Sequence, residues 1–129
     1  MMKTIKILFL FVGMLMSSAV SAQEFNKKDI NGMWKRSDGL IITISGVGTF
    51  SEGGNALVFG VGNSGWSQTC AKRCFKFREI QYEGGNEWSA KNKMYMRNGD
   101  YTKDDGTVTI LLEDDKKSFT AGGFTYYKN

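Results

Sequence analysis

Short runs of β-branched and aromatic residues recur along this chain, separated by glycine, asparagine and aspartate. The clearest case lies between residues 30 and 50, where a Gly-Met-Trp run, a Ser-Asp-Gly turn and the run LIITI follow one another. That order is typical of a strand, a tight turn and a second strand. About eight such runs, spaced roughly 8 to 15 residues apart, predict an all-β fold. We interpret it as an antiparallel up-and-down β-barrel of about eight strands, with a β-sandwich as the alternative.

The runs also place the elements approximately along the chain. A short helical turn is expected at 25–31, and the dipeptides Asn98-Gly99 and Asp105-Gly106 are typical of hairpin turns. Glycine-rich breaks are expected at 53–55 and 60–65. The strands are expected near 32–37, 40–46, 48–51, 56–59, 74–82, 88–97, 107–112 and 118–128.

The segment 74–82 shows the alternation of a half-buried strand. Its aromatic residues should face the core and its polar residues the solvent, but the alternation slips near residues 79 and 80, which indicates a bulge. The expected inward set is Phe75, Phe77 and Tyr82, and the expected outward set is Lys76, Arg78 and Gln81.

Residues 1–22 have the three-part pattern of a cleaved secretion signal. Two lysines precede an apolar run at 7–16, and small residues close the segment at 17–22. The apolar run is about half of the roughly 20 residues that a membrane anchor needs. No lipid-anchoring cysteine follows it, so we expect a secreted or periplasmic protein with one barrel domain at 23–129 and no membrane insertion after cleavage.

Charge and composition argue against several functions. The net charge of +4 contains two lysines from the signal segment, so the mature chain has no electrostatic signature of nucleic-acid or anionic-membrane binding. The chain has no histidine, which excludes histidine-dependent hydrolases and histidine-bound zinc or haem. The paired acids at 104–105 and 113–115 are typical of solvated turns, and Asp105 occupies a position where a calcium loop counted from Asp100 requires glycine. We therefore predict a non-enzymatic protein without catalytic residues, cofactor or metal.

Cys70 and Cys74 are the two cysteines of the chain. In an oxidising compartment the expected outcome is a disulfide between them, acting as a local clamp on a loop rather than in the core. Two free thiols, or redox or metal chemistry, are the alternatives, although the CxxxC spacing differs from that of CxxC redox motifs.

The aromatic residues are the remaining candidates for function. Most must build the core of so small a domain, but several could line a pocket for a small apolar or amphipathic ligand. Trp66 is the strongest candidate because its neighbours are polar, and we expect Trp66→Ala to leave the fold largely intact. The alternative is a protein-interaction module, such as an inhibitor or an envelope accessory factor, with a filled barrel and contact loops at 60–66 and 70–74. The candidate ligand-binding residues are Trp34, Phe59, Trp66, Phe77 and Trp88.

The opening of the predicted barrel resembles that of the calycin superfamily, which includes lipocalins, fatty-acid-binding proteins and avidins. The resemblance rests on Gly32 and Trp34, preceded by the short turn at 25–30. It implies a meander barrel in which the tryptophan closes one end under a basic residue of the last strand. Lys128 is the loosely matching position for that residue.

Overall fold

The computed structural model describes residues 24–98 and 101–129, which form one closed antiparallel barrel. Each strand pairs with the next, and β8 returns to pair with β1, which confirms the predicted barrel and excludes the sandwich. The predicted signal segment and Gly99 of the predicted turn lie outside the described residues. The strands are β1 (Gly32–Arg36), β2 (Ile41–Ser45), β3 (Gly54–Gly60), β4 (Phe75–Gly84), β5 (Glu87–Met96), β6 (Tyr101–Leu112), β7 (Ser118–Ala121) and β8 (Phe124–Lys128).

One end of the barrel, which we call the closed end, is covered by a 3-10 helix at Lys27–Ile30, within the predicted helical turn. Asn26 begins the helix with a reciprocal capping box to Asp29. The indole N–H of Trp34 donates to the carbonyl of Ile30 at 2.9 Å. The indole N–H of Trp88 donates to the carbonyl of residue 27 at 3.0 Å. Two buried tryptophans therefore attach the helix to the barrel, and the predicted burial of Trp34 at one end is confirmed.

The interior is filled by a series of aromatic contacts. Trp34 packs edge-on against Phe119 with 4.9 Å between ring centres, and Phe119 stacks on Tyr126 at 4.6 Å. Tyr126 in turn contacts Phe77 at 5.9 Å. All four side chains are buried, with aliphatic residues around them. Because these rings occupy the space between the walls, the middle of the barrel is a packed core.

Two predicted local features are wrong. The expected strand at 48–51 is part of the turn between β2 and β3, and β3 begins at Gly54, within the expected break. A Cβ atom at Gly54 would lie 2.5 Å from the carbonyl oxygen of Ser45, so close strand approach explains the glycine there. Asp105-Gly106 is not a hairpin turn but lies inside β6.

Among the irregularities in strand pairing, three concern β4, β5 and β6 around the segments discussed below. In β4, Phe75 pairs with Leu57 and Phe77 with Ala56, so Lys76 is an extra residue opposite β3. Between β5 and β6 the register shifts after Lys91, at Asp105-Gly106 of the β6 strand. The predicted slip near residue 79 is also present, as a register shift between β4 and β5 where Glu79 has a φ of 51°.

Candidate functional site

The end of the barrel opposite the 3-10 helix holds a pocket of about 390 Å³, which we call the mouth pocket. It lies where β1, β5 and β7 end and where β4, β6 and β8 begin, roofed on one side by the β3–β4 connection. Its rim includes the half-exposed apolar side chains of Met94 and Phe124. Its charged and amide lining consists of Arg36, Lys76, Asn92, Arg97 and Asp105.

Lys76 is one of two buried cations of the mouth pocket among the described residues, with 8% of its surface exposed; the other is Arg36. Its ammonium group donates to Oδ1 of Asn92 at 2.9 Å and to the carbonyl oxygen of Lys93 at 3.0 Å. Burial and, secondly, the charge of Arg36 lower the pKa of Lys76 to about 8, against the opposing influence of Asp105 and Asp38. The bulge in β4 explains why a lysine expected to face solvent points into the barrel.

Asn92 connects Lys76 to the carboxylate of Asp105. The amide Nδ2 of Asn92 donates to Oδ2 of Asp105 at 3.2 Å. In the ladder, Lys91 pairs with Thr107 and Lys93 with Asp104, so Asp105 and Gly106 together oppose Asn92. Gly106 has a φ of 75°, which glycine adopts without strain. This glycine bulge brings the side chain of Asp105 to the amide of Asn92.

Arg36 forms the neighbouring wall of the pocket. Its guanidinium group binds Asp38 through two hydrogen bonds of 2.8 Å and lies 4.1 Å from the ring centre of Phe124. Tyr126 pairs with Arg36 across β1 and β8, and its buried hydroxyl makes no hydrogen bond of acceptable geometry among the described residues. Burial raises the pKa of Tyr126 to about 12, although nearby Arg36 opposes the rise. This wall therefore carries the positive charge of Arg36, which the carboxylate of Asp38 largely neutralises.

The β3–β4 connection carries Trp66 over the pocket. The indole stacks on Tyr95 with 5.5 Å between ring centres, and the Lys76 ammonium group lies 5.7 Å from the indole centre. The segment is held to the barrel by hydrogen bonds from Lys72 N to Val58 O at 2.6 Å and from Val58 N to Cys74 O at 2.8 Å. Trp66 is thus an aromatic wall positioned by a loop rather than by a strand.

The predicted disulfide between Cys70 and Cys74 is confirmed in that same connection. It encloses the end of a second 3-10 helix, Gln68–Cys70, which Ser67 caps. The expected position outside the core needs correction for one partner, because Cys70 is fully buried although it lies on a loop. The bond therefore ties the loop that carries Trp66 to the barrel wall.

The structure separates the five aromatic residues proposed for ligand binding. Only Trp66 lines the mouth pocket. Trp34 and Trp88 lie buried beneath the 3-10 helix at the closed end, and Phe77 belongs to the packed core. Phe59 is 43% exposed, with the Lys72 ammonium group 5.2 Å from its ring centre. The aromatic set does not form one site.

The sequence pattern does not predict the polar network of Lys76, Asn92 and Asp105. Nothing in the alternation of β4 distinguishes Lys76 from an outward-facing lysine, because the bulge depends on pairing with β3. Asp105-Gly106 carried a usable signal, since the same dipeptide suits a glycine bulge as well as a hairpin turn.

A second groove, of about 490 Å³, lies beside the turn between β1 and β2. It is larger than the mouth pocket, but none of the described residues in its walls is aromatic, and Gly39, Gly60 and Gly62 form much of them. Binding sites for small molecules combine apolar walls with a few convergent polar groups. The mouth pocket meets that description, so we take it as the candidate site.

At the closed end, Lys128 pairs with Trp34 across β1 and β8, and its ammonium group lies 5.5 Å from the indole centre. Membership of the calycin superfamily, for which Lys128 was the loosely matching basic position, stays a prediction. In comparisons with known proteins, no family model, curated protein or solved structure matched the chain. None of the helices in the described residues has the length and apolar character needed to span a membrane. Those residues also contain no acidic or cysteine cluster that could hold a metal ion.

Proposed function

We propose that this protein is an exported, non-enzymatic binding protein that holds a small amphipathic ligand in the mouth pocket. The observation that carries the proposal is the pocket itself, in which about 390 Å³ is bounded by apolar side chains at the rim and hydrogen-bonding groups at the floor. Pockets of roughly 300 to 1,000 Å³ with such a lining are the usual sites of small ligands. The disulfide supports export, because such bonds persist in oxidising compartments.

The test is a screen of small amphipathic compounds by thermal shift and by tryptophan fluorescence, using the chain without residues 1–22. A ligand of the mouth pocket should raise the melting temperature and perturb Trp66, because Trp34 and Trp88 are buried at the opposite end. The same ligand should bind Trp66→Ala more weakly. Phe59→Ala is the matched control, since it removes an exposed aromatic residue outside the pocket. Equal weakening by both substitutions would contradict the mouth pocket as the site.

A protein-interaction module is the second candidate, favoured by the filled middle of the barrel. Small barrels either enclose a ligand or fill with side chains, and this one has a packed core below the mouth. In that case the loop with Trp66 and the disulfide would contact a protein partner. Failure of every compound to bind, together with loss of partner capture in Trp66→Ala but not in Phe59→Ala, would support this candidate instead.

A further inference from the structure

The mouth pocket contains the buried ammonium group of Lys76, which no carboxylate of the described residues contacts directly. The Lys76 ammonium group has three N–H donors, and its two hydrogen bonds among the described residues go to neutral oxygens, on Asn92 and on the backbone of Lys93. A buried charge is costly unless it is paired. Lys76 therefore has both a donor and a charge that an anionic ligand would satisfy.

The nearby carboxylates of Asp38 and Asp105 already accept hydrogen bonds from groups other than Lys76. Asp38 binds the Arg36 guanidinium through two hydrogen bonds, and Asp105 accepts from Asn92 rather than from Lys76. Of the residues that the structure describes, three with cationic side chains, Arg36, Lys76 and Arg97, line the pocket with one carboxylate, Asp105. Even when Asp38 is counted against Arg36, the surroundings keep a net positive charge. An entering anion would thus meet a positive potential, not a neutralised one.

The size and rim of the pocket restrict the rest of the ligand. Met94, Phe124 and Trp66 provide apolar surface toward solvent, above the cationic floor. The buried rings of Phe77 and Tyr126 fill the barrel interior, which leaves no space for a long chain to pass toward the closed end. The pocket thus suits a compact body with a charged group directed inward.

From this geometry we infer that the mouth pocket selects compact aromatic or cyclic carboxylates. The carboxylate is bound by the third N–H of the Lys76 ammonium group, which makes no hydrogen bond to the described residues, and the ring lies against the apolar rim. The inference rests on the proposed function and adds the chemical class of its ligand. Lys76 is the residue that determines specificity.

The experiment compares two probes with the same ring system, 1-naphthoate and its neutral amide, 1-naphthamide. Binding is measured by tryptophan fluorescence and by calorimetry at pH 7. We expect the wild-type protein to bind naphthoate about tenfold or more tightly than naphthamide, because a charge-assisted hydrogen bond is worth more than a neutral one. Lys76→Met should abolish that preference while retaining naphthamide binding. Lys93→Met is the matched control, because the Lys93 ammonium group pairs with exposed Asp104.

The outcomes distinguish failure of the inferred ligand class from failure of the proposed ligand-binding function. Equal affinity of wild-type protein for both probes would overturn the inference and leave the proposed function standing, since a neutral ring still binds. The inference would also be overturned if Lys76→Met kept the preference for naphthoate. The same holds if Lys93→Met lost as much of that preference as Lys76→Met. Binding of neither probe at millimolar concentration would count against the inference and the proposed function together.

A measurement on the wild-type protein covers the case in which Lys76→Met fails to fold. The pKa of Lys76 is lowered to about 8, and a bound carboxylate should raise it, so naphthoate binding should take up a proton above pH 8. Naphthoate affinity should be level from pH 6 to 8 and then fall by up to about tenfold per pH unit, whereas naphthamide affinity stays level. Among the groups facing Lys76, the pKa of Arg36 is raised, that of Asp38 is lowered and that of Tyr126 is raised to about 12, so these three keep their charge state in this range. The carboxylate of Asp105 also faces Lys76, through the amide of Asn92. Naphthoate affinity that is independent of pH up to 10 would contradict the role of Lys76.

Discussion

The guanidinium group of Arg36 and the carboxylate of Asp38 form a two-point ion pair, with both hydrogen bonds at 2.8 Å, across the turn between β1 and β2. The Arg36 side chain is 5% exposed and that of Asp38 is 30% exposed. Burial alone would raise the pKa of Asp38, but the hydrogen bonds and charge of Arg36 outweigh it and lower the pKa. The turn between β1 and β2 therefore places Asp38 where it neutralises the buried charge of Arg36 in the wall of the mouth pocket.

Asp38→Asn should destabilise the protein. Breaking a buried pair by removing one partner costs about 3 to 5 kcal/mol, and the partial exposure of Asp38 reduces our expectation to about 1 to 3 kcal/mol. Asp104→Asn is the control, because its pair with Lys93 is on the surface and should contribute little. Urea unfolding at pH 7 measures both variants. Equal stability of the two variants would show that the Arg36 charge is met by solvent.

Trp34→Ala should be the more damaging of the two informative tryptophan substitutions. It removes a fully buried ring, its contact with Phe119 and its hydrogen bond to the 3-10 helix, at an expected cost of about 3 to 5 kcal/mol. Trp66→Ala removes a partly exposed ring stacked on Tyr95, a contact worth about 0.5 to 1.5 kcal/mol beyond its area. Thermal melting should therefore place Trp34→Ala well below Trp66→Ala. Coincident melting curves would make Trp66 a core residue.

Lys76 should give stability an unusual dependence on pH. Its folded-state pKa of about 8 lies below the ordinary value of 10.5, so between these values the unfolded chain binds more protons. The free energy of unfolding contributed by this group should rise with pH across that window, by at most about 1.4 kcal/mol per pH unit. Urea titrations at pH 7, 8, 9 and 10 measure it, and Lys76→Met should lack this rise. Identical pH profiles for the two proteins would contradict a buried ammonium group.

The disulfide should stabilise the loop more than the barrel. Because Cys70 and Cys74 are so close in sequence, the bond restrains the unfolded chain little, and we expect Cys70→Ala/Cys74→Ala to lose less than about 2 kcal/mol. The circular-dichroism signal of the strands should be the same in this double variant as in the parent, while the fluorescence of Trp66 shifts. Reductant should lower the melting temperature of the parent but not of the double variant. A loss matching that of Trp34→Ala would assign the bond a role in the core.

The sequence was sufficient for the barrel because strand periodicity and glycine breaks are local signals. Trp88 and Ala90 show this, since they alternate along β5 and both face the core. The strand predicted at 48–51 was wrong because its Gly-Thr-Phe-Ser pattern resembles a strand. The crowding at Gly54 that fixes the real start of β3 comes from a neighbouring strand and leaves no local signal.

The candidate site was harder to predict from the sequence, because it too depends on contacts between strands. Trp66 could be identified from its polar neighbours, which keep it out of a strand. Lys76 could not, because one extra residue opposite β3 reverses the direction of its side chain, and that pairing is not encoded in the local pattern. Of the polar network, only Asp105 had a local signal in the glycine that follows it.

The closed end has a practical consequence for attaching this protein to other objects. The 3-10 helix before β1 and the last residues of β8 meet there, since Lys128 pairs with Trp34 and Asn129 donates to the carbonyl of Met33. A fusion partner, dye or surface linker joined at either side of the barrel domain would emerge from that end. The mouth pocket would then face away from the attachment point, so an immobilised or fused barrel should present its candidate site to the surrounding solution.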